Sequence, residues 1–259
     1  MEQSSLDWRS YIDNLVFGIG NREIKILKEI VDRHPVNSIL DVACGDGIAA
    51  ILLAGWGKDV TALDNDSSRI ANNNSKSRSA GVEVNFNCAD MRDLSRSYKQ
   101  KCDLVICLRD SLSRLVAEAD IWGALVQMYL ALKPGGFVVM QTFDYDHIFT
   151  SHDYQLEDIN ACIQEQKAKI TFQPGPEKTR SSFIIEFPGH CQCRRDGKLE
   201  KQQIPVRPIY QKELDLWLAE LGFKKFQGLE KELEANLAGK AWNRLTIAFR
   251  PGPANHQYD

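Results

Sequence analysis

The chain has no long apolar run, and no stretch approaches the about 20 apolar residues that a membrane-spanning helix needs. Its first residues, MEQSSLDWRSYIDNL, include acidic side chains and lack the apolar core of a secretory signal. Positive charge is not in excess either, since 32 Lys and Arg stand against 35 Asp and Glu. Electrostatics therefore give no reason to expect DNA or RNA as the substrate. We expect a cytoplasmic protein that acts on a small molecule, with no nucleic-acid or membrane partner.

Cysteine is neither abundant nor regularly spaced. The seven cysteines are an odd number, and several lie inside apolar runs such as 103–108, where a thiol behaves as a small hydrophobic group. This distribution indicates a reducing compartment rather than a disulfide framework. Cys191 and Cys193 follow His190, but a structural zinc site needs four ligands, usually at wider paired spacings. We therefore expect the two thiols on alternate faces of a strand and predict no metal.

What the chain does have is a regular alternation of helix and strand patterns. Two predicted helices, 6–17 and 22–33, are followed by strands at 38–43, 59–63, 82–87, 102–107 and 137–142 and by helices at 48–55, 67–79 and 119–132. Such alternation predicts an α/β fold with a doubly wound, Rossmann-like parallel sheet. A helix at 211–221 and strands at 225–230 and 244–250 would complete seven strands with an antiparallel edge hairpin.

Residues 151–206 interrupt this alternation with short strand-like runs. Asp196-Gly197 between extended segments is a strong hairpin signal. The segment follows the fifth strand, at the sheet edge where ligands bind in doubly wound folds, so we expect an inserted antiparallel lid over the site. A surface hairpin without a role is the alternative. The predicted division of the 259-residue chain is N-terminal helices and core (1–150), lid (151–206), C-terminal helix and hairpin (207–250) and disordered tail (251–259).

The segment SILDVACGDG at 38–47 is the most informative in the chain. An apolar strand leads into a turn with Gly45 and Gly47 and then into a helix, which is the order of a nucleotide-binding βα unit. Asp64 ends the next strand nineteen residues after Gly45, close to the spacing of roughly 20 at which an acidic side chain reaches ribose hydroxyls. By pattern alone the loop is G-x-G-x-x-A, which suits NAD as well as other adenosine cofactors. A tight turn without a ligand is a further alternative.

Asp41 narrows this choice, because a carboxylate at the strand end favours a cofactor that carries a cation and opposes a pyrophosphate. Here the chain resembles the class I S-adenosylmethionine-dependent methyltransferases, and most closely the glycine/sarcosine N-methyltransferases. LDVACGDG at 40–47, DLVICLRDSLSRL at 103–115 and LKPGGFVVMQTFDYDHIF at 132–149 look like that family's D-V-A-C-G-T-G, its D-A-V-I-C-L-G-N-S-F-A-H-L and its R-P-G-G segment ending in R-N-Y-D-Y-I-L. The resemblance covers roughly residues 10–150.

The resemblance implies S-adenosyl-L-methionine as the cofactor. Gly45 and Gly47 would let the backbone approach its methionine part, Asp64 would take the ribose hydroxyls, and Asp90 resembles the acidic residue that reads adenine. The full predicted cofactor set is Arg22, Asp41, Ala43, Gly45, Gly47, Asp64, Asn65, Asp90, Met91 and Leu108. Two members have plain alternatives, since Asp90 also suits a helix cap and Arg22, assigned to the cofactor carboxylate, also suits a solvated helix face.

The chain departs from the family motifs near the expected methyl acceptor. Arg109 and Asp110 stand where the family has glycine and asparagine after I-C-L, and Asp144 replaces an asparagine. A carboxylate at 144 would repel an acceptor's carboxylate and attract an ammonium group. Methyl transfer mainly requires alignment of a nucleophile about 3–3.5 Å from the methyl carbon. Asp144 and Tyr145 follow the fifth strand, whose end lies beside the methyl group in the fold that the resemblance implies, so we predict that they are catalytic, with strand-end capping as the alternative. The predicted acceptor set is Tyr11, Arg109, Asp144, Tyr145, Arg207 and Tyr210.

The sequence thus predicts a methyltransferase that methylates the nitrogen of a small amine or amino acid. An O-methyltransferase acting on a carboxylate or hydroxyl of a small acidic metabolite is the alternative within the same class. An NAD-dependent reductase and a non-catalytic cofactor-binding module are alternatives from other classes, and the carboxylates of Asp41 and Asp46 beside the glycines oppose the first of them. The acceptor, the number of methyl groups added and the oligomeric state, including a homo-oligomer, stay open.

Overall fold

The computed structural model describes residues 20–151, 162–163, 166–167, 169–175, 180–187, 200–226 and 243–252. Its helices are α1 (Asn21–Arg33), α2 (Ile48–Gly55), α3 (Ser67–Ser79), α4 (Ser95–Tyr98), α5 (Glu118–Ala131), α6 (Tyr145–Ser151) and α7 (Gln211–Glu220), with a 3-10 turn at Leu112–Arg114. Its strands are β1 (Ser38–Val42), β2 (Asp59–Asp64), β3 (Asn85–Cys88), β4 (Cys102–Cys107), β5 (Leu132–Phe143), β6 (Cys162–Ile163), β7 (Gln166–Lys167), β8 (Lys169–Gln173), β9 (Ser181–Phe187), β10 (Glu200–Val206), β11 (Lys224–Lys225) and β12 (Asn243–Phe249).

Seven strands form one sheet in the order β11-β12-β5-β4-β1-β2-β3. The first five strands of the chain pair in parallel, whereas β12 runs antiparallel to both β5 and β11. The predicted parallel sheet with an antiparallel edge hairpin is therefore confirmed. Because parallel strands end at the same edge, the loops after β1, β2, β3 and β4 meet at one side of the sheet.

Alternate residues of the central strands enter two apolar layers. Ile39 and Leu104 pack on the face that α1 and α2 cover, and Leu40 and Val105 pack on the face that α5 and α7 cover. All four side chains are at most 2% exposed, and burial of a side chain of this size contributes about 1.5–3 kcal/mol. The two layers make the sheet a rigid support for the loops at its edge.

The element bounds agree with the predictions in most of the core. α2, α3 and β4 have the predicted bounds, whereas β3 begins at Asn85 rather than at 82. The two short helices α4 and α6 were not predicted, since each is at most seven residues long and carries little periodicity. The predicted helix at 6–17 and residues 227–230 of the predicted strand at 225–230 lie outside the described residues, as do 253–259 of the predicted tail.

The Lys-Pro-Gly-Gly segment at 133–136 lies within β5 and not, as predicted, between the helix and the strand. Cys102 pairs with Leu132 and Leu104 with Phe137, so the pairing register shifts across this segment. Gly135 has φ +84°, and a Cβ on Gly136 would lie 3.0 Å from the backbone oxygen of Asp103. The two glycines therefore permit a bulge that keeps β5 against β4.

The inserted segment contains the expected antiparallel sheet, in the order β10-β9-β8, and β6 pairs with β7 separately. Phe187 pairs with Glu200 across β9 and β10, while the predicted Asp196-Gly197 turn between them lies outside the described residues. The ring of Phe183 lies 4.8 Å from that of Phe143, centroid to centroid. The insertion therefore packs on the carboxyl end of β5.

The predictions of no metal site and no membrane-spanning helix can be compared only with the residues that the structure describes. Cys191, Cys193 and His190 lie outside the described residues. Within the residues described, no group of three or more His, Cys, Asp or Glu side chains is placed to hold a metal ion. In the same part of the chain, no helix combines the length and apolarity that a membrane span requires.

Candidate active site

A cavity of about 630 Å³ opens at the edge of the sheet where β1, β2, β3 and β4 end, a volume typical of small-molecule sites. Every loop that leaves these four strands contributes to its wall. The lining residues are Ala43, Gly45, Asp64, Asn65, Asp66, Arg69, Ala89, Asp90, Met91, Arg92, Arg109, Ser111, Arg114, Leu115, Val116, Ala117, Asp120 and Arg180. The topology therefore brings six predicted cofactor residues and one predicted acceptor residue, Arg109, to one cavity.

The two glycines after β1 have different surroundings. Gly45 and Gly47 have φ +57° and +75°, a backbone region that favours glycine. A Cβ on Gly45 would lie 3.3 Å from Arg69 Nη1, at the cavity wall, whereas a Cβ on Gly47 would lie 3.0 Å from the side chains of Asn73 and Phe86. Glycine at position 45 therefore avoids a side chain that would crowd Arg69 at the cavity wall. Gly47 allows close packing at the start of α2, away from the cavity lining.

Asp64 fixes the glycine loop to the end of β2. Its Oδ2 accepts a hydrogen bond from the Gly45 backbone N–H at 2.8 Å, and its Oδ1 accepts one from the Asp66 N–H at 3.0 Å. From the other side, the buried Asn73 Nδ2 donates to the Gly45 carbonyl oxygen at 2.9 Å. The loop is thus held rigid while the Asp64 carboxylate also lines the cavity.

Two further carboxylates and one guanidinium are buried around this loop. Arg109 Nη1 lies 2.7 Å from Asp46 Oδ1, and both side chains are at most 8% exposed. Asp41 is 2% exposed, and burial raises its pKa to about 8, opposed by Arg109 and reinforced by Asp64 and Asp46. Within the described part of the chain, Asp41 Oδ2 and Asp46 Oδ2 have no hydrogen-bond partner. A cationic ligand beside these carboxylates would favour the ionised form of Asp41 and lower its pKa.

Arg109 and Asp110 both adopt left-handed backbone conformations, with φ +60° and +54°. Such conformations cost about 1–3 kcal/mol for residues other than glycine and persist only where the surroundings impose them. Gln141 holds both residues in this conformation. Its Oε1 accepts from the Arg109 N–H at 2.9 Å, and its carbonyl oxygen accepts from the Asp110 N–H at 3.0 Å. Gln141 Nε2 in turn donates to the buried Glu23 of α1 at 3.2 Å.

Asp110 links this turn to the end of β5. Its Oδ2 accepts from the Tyr145 hydroxyl at 2.6 Å, and its Oδ1 accepts from Ser113 Oγ at 2.7 Å and from the Phe143 N–H at 3.1 Å. Burial raises the pKa of Asp110 to about 6, and the hydrogen bonds from Tyr145 and Ser113 oppose the rise. Burial and then the charge of Asp110 raise the pKa of Tyr145 well above its usual value. Tyr145 therefore holds Asp110 and does not line the cavity.

Asp90 and Met91, two of the predicted cofactor residues, follow β3 and line the cavity. The Arg92 side chain donates to both oxygens of Asp90, at 3.0 and 2.7 Å, and reaches Asp120 of α5 at 3.0 Å. Hydrogen bonding from Arg92 lowers the pKa of Asp90, so this carboxylate is an anionic acceptor at neutral pH.

The carboxylate of Asp144 contacts Arg244 and the start of α6 and is not part of the cavity wall. Both of its oxygens lie 2.8 Å from Arg244 Nη2, and its Oδ1 accepts the His147 N–H at 3.0 Å, so it caps α6. Arg244 also pairs with Asp146 at 2.8 Å. The structure thus shows the capping alternative for Asp144, and neither Asp144 nor Tyr145 is among the lining residues described. Their predicted catalytic roles receive no geometric support.

Four other predicted residues also lie away from the cavity. Arg207 binds Glu213 and Glu118 at 2.6 and 2.9 Å, and these partners raise its pKa although burial alone would lower it. Arg22 Nη1 donates to the Asn243 carbonyl at 3.0 Å. The remaining two are Tyr210, whose ring packs 5.8 Å from that of Phe149, and Leu108, which is buried in the core; Tyr11 is outside the described residues.

Most of the cavity wall that the segment after β4 forms was not predicted from the sequence. Ser111 and residues 114–117 line the cavity from this segment, and Arg180 reaches it from the start of β9. Their signal was the motif at 103–115, which ends inside this wall. Arg180 and Arg69 had no such signal, because their place depends on contacts between distant segments.

Comparisons with known proteins agree with this geometry. A family described as "Methyltransferase domain" matches residues 39–136. A protein of Geobacillus sp. (strain WCH70) that carries the name of a methyltransferase is 32% identical over 199 residues, which cover 74% of this chain and 75% of that protein. The chain belongs to the S-adenosylmethionine-dependent methyltransferases. The NAD-dependent reductase is thereby excluded as an interpretation.

Other relatives of this methyltransferase carry more specific names. A glycine/sarcosine N-methyltransferase of Parasynechococcus marenigrum (strain WH8102) is 32% identical over 143 residues, 55% of this chain, and the match spans about half (48%) of that relative. A ubiquinone biosynthesis O-methyltransferase of Hydrogenovibrio crunogenus is 29% identical over 110 residues, 42% of this chain and 44% of that protein. A crystal structure of an S-adenosylmethionine-dependent methyltransferase from Clostridium acetobutylicum has the same fold, with a TM-score of 0.72 over 95% of this chain and 98% of that one at 18% identity.

The cavity of this methyltransferase fits the cofactor that its family uses. Gly45 lines the cavity without a side chain, so a ligand can lie against the loop backbone. The side-chain oxygens of Asp64, Asn65 and Asp90 line the same cavity and are acceptors for hydroxyl and amino hydrogens. This set of acceptors therefore matches the hydroxyl and amino hydrogens of an adenosine.

Proposed function

We propose that this methyltransferase transfers the methyl group of S-adenosylmethionine to the nitrogen of a small amine that also carries an acidic group. The observation that carries this proposal is the composition of the cavity wall. Among the lining residues described there is no histidine, lysine, cysteine or tyrosine, while five are arginines: Arg69, Arg92, Arg109, Arg114 and Arg180.

The absence of histidine, lysine, cysteine and tyrosine from the lining residues described helps to decide which atom accepts the methyl group. A hydroxyl acceptor usually needs a general base with a pKa near neutrality, such as histidine. An amine needs only to arrive deprotonated and to be aligned with the sulfonium methyl. A wall of arginines and aspartates suits the second requirement better than the first. The glycine/sarcosine N-methyltransferase relative agrees with nitrogen as the acceptor atom.

The arginines bear on what else the acceptor carries. Guanidinium groups bind carboxylates through paired, directional hydrogen bonds. Arg114 follows β4 and Arg180 comes from the inserted sheet, so two elements bring positive charge to one cavity. The contribution of Arg180 also supports the proposal that the insertion forms part of the acceptor site.

We assign the predicted cofactor roles to the residues that line the cavity. Asp64 would receive the ribose hydroxyls, Asp90 the exocyclic amine of adenine, and the Ala43–Gly45 backbone would lie against the methionine part. The bound cofactor supplies an electrophilic methyl group. The chain would supply the alignment of the acceptor nitrogen with that methyl group.

The test is a comparison of acceptors matched in shape. Purified protein with S-adenosylmethionine is offered glycine, sarcosine, glycolate and methylamine, and S-adenosylhomocysteine release and product mass are measured. We expect methylation of the amino acids, little of methylamine and none of glycolate. Methylation of glycolate alone would overturn the proposal and favour the O-methyltransferase alternative, which the ubiquinone biosynthesis relative also suggests.

A matched variant sharpens this test. Arg180→Gln keeps a polar side chain but removes the charge from the insertion. We expect the KM of an amino-acid acceptor to rise about tenfold, as for loss of a charged hydrogen bond, with the Kd of S-adenosylmethionine unchanged. An unchanged KM would remove Arg180 from the acceptor site.

A further inference from the structure

Two departures from the family motifs meet in the folded chain. Asp46 stands where the motif D-V-A-C-G-T-G has threonine, and Arg109 stands where the motif I-C-L-G-N has glycine. In the structure these two residues form one ion pair, with Arg109 Nη1 2.7 Å from Asp46 Oδ1. The pair joins the loop after β1 to the turn after β4.

Each member of this pair is costly without the other. The Asp46 side chain is fully buried and that of Arg109 is 8% exposed, so either charge alone would lack solvation. Arg109 additionally adopts φ +60°, which glycine would adopt without strain. An arginine at this position therefore has two costs, backbone strain and burial, and the Asp46 charge compensates the second.

The pair places positive charge at the cavity wall. Arg109 lines the cavity, and its Nη1 lies 3.5 Å from the position that a Cβ on Gly45 would occupy. Gly45 also lines the cavity, so the Arg109 guanidinium and the loop backbone border the same cavity. A guanidinium can serve two carboxylates at once, as Arg207 does with Glu213 and Glu118 in this chain. Pairing with Asp46 is thus compatible with a second, bound carboxylate.

We infer that Asp46 positions Arg109 to bind a ligand carboxylate beside Gly45. Two ligands of this enzyme supply such a group: the amino-acid end of the cofactor, and an acidic acceptor. The second source rests on the proposed function. The first rests only on the cofactor, so the two can be separated.

The experiment uses ligands with and without the amino-acid part. The double variant Asp46→Thr/Arg109→Gly removes both charges and leaves no buried charge unpaired. Calorimetry would compare S-adenosylhomocysteine with 5′-deoxy-5′-methylthioadenosine, which lacks the carboxylate. If the cofactor is the source, we expect at least about a tenfold weaker Kd for the first ligand, as for loss of a charged hydrogen bond, and an unchanged Kd for the second.

The second part of the experiment measures the KM of methyl acceptors with and without an acidic group. If the acceptor is the source, the Kd of S-adenosylhomocysteine stays the same in the double variant, while the KM of an acidic amine rises about tenfold and that of methylamine does not. If the Kd and KM of every ligand are the same in the double variant as in the wild type, the inference is overturned and the ion pair has only a structural role. The calorimetric arm needs no acceptor, so failure of the proposed function would not affect it.

A second variant keeps the inference testable if the double variant does not fold. Arg109→Lys retains a positive charge for Asp46 but loses the planar fork that binds a carboxylate through two hydrogen bonds. We expect the same ligand to lose affinity, by a smaller factor. An unchanged Kd and KM in a folded Arg109→Lys protein would contradict the inference.

Discussion

Two clusters in this methyltransferase have the same composition, two aspartates and one arginine, and differ in burial. The inner cluster consists of Asp41, Asp46 and Arg109, at the glycine loop. Its aspartates are at most 2% exposed and its arginine 7%, and burial raises the pKa of Asp41 to about 8. The inner cluster lies beside the cavity, and its arginine is part of the wall.

The outer cluster consists of Asp144, Asp146 and Arg244, at the end of β5. Its side chains are 21%, 43% and 26% exposed. Asp144 caps α6, and Asp146 Oδ2 accepts the Gln211 N–H at the start of α7 at 3.0 Å. Water solvates these charges, so the cluster can tie elements together at little cost.

The difference shows that residue type alone does not locate chemistry. From the sequence, Asp144 was the better catalytic candidate, because it follows the fifth strand at the ligand edge. The structure places the desolvated charges at the glycine loop instead, where an electrostatic interaction with a ligand is stronger. Four predictions test whether burial separates the two clusters in this way.

The largest expected effect is on stability, from breaking the inner ion pair. Arg109→Gly should lower the free energy of unfolding, because leaving Asp46 as an unpaired buried charge costs about 3–5 kcal/mol and the backbone strain that glycine relieves is only about 1–3 kcal/mol. Asp46→Thr/Arg109→Gly should recover most of this loss. Urea unfolding measures both variants, and Arg244→Ala is the matched outer variant, with an expected loss of about 1 kcal/mol or less. Equal losses for Arg109→Gly and Arg244→Ala would erase the distinction between the clusters.

The next effect concerns the hydroxyl of Tyr145. Tyr145→Phe removes the 2.6 Å hydrogen bond to the buried Asp110 and should cost about 1–3 kcal/mol of stability. Since Tyr145 acts through Asp110 and the turn that carries Arg109, kcat/KM should fall while the Kd of an adenosine fragment stays constant. A fall in activity without any loss of stability would instead support the predicted catalytic role.

The pH dependence of stability should also separate the clusters. The pKa of Asp41 is about 8 in the folded state and about 3.9 in an unfolded chain, so the folded state binds more protons between these values. Its contribution to the free energy of unfolding therefore falls as pH rises from about 4 to 8. Asp41→Asn should flatten this slope in urea titrations at several pH values. Asp144→Asn should leave it in place, and an unchanged slope in Asp41→Asn would contradict the assignment.

The smallest effect is expected from Asp144 itself. Asp144→Asn keeps an oxygen that can cap α6, because asparagine is a good N-cap residue, but it loses the ion pair with Arg244. We expect a stability loss of at most about 1 kcal/mol and a kcat close to that of the wild type. A large fall in kcat with normal folding would restore Asp144 as a catalytic residue.

Much of the fold could be predicted because its signals are local. The bounds of α2, α3 and β4 follow from short-range patterns, and the spacing from Gly45 to Asp64 reflects the βαβ connection between them. The bulge in β5 could not be predicted, since it depends on the pairing of β5 with β4.

The site could be predicted only where each residue belongs to a local sequence pattern. Asp64, Asp90 and Gly45, all predicted to bind the cofactor, line the cavity. The pair of Asp46 with Arg109 joins two segments that are distant in sequence, and no local pattern reports such a contact. Arg22 and Arg207 illustrate the converse, because a long cation can find partners on many elements, here Asn243 and two glutamates.

The most direct test of the account is a calorimetric titration of S-adenosylmethionine into three proteins: wild type, Asp64→Asn and Arg244→Ala. The asparagine retains an oxygen for the Gly45 N–H but removes the carboxylate from the cavity. We expect tight binding by wild type and by Arg244→Ala, and at least about tenfold weaker binding by Asp64→Asn, as for loss of a charged hydrogen bond. Equal affinities for wild type and Asp64→Asn, or a loss confined to Arg244→Ala, would contradict the location of the cofactor at the glycine loop.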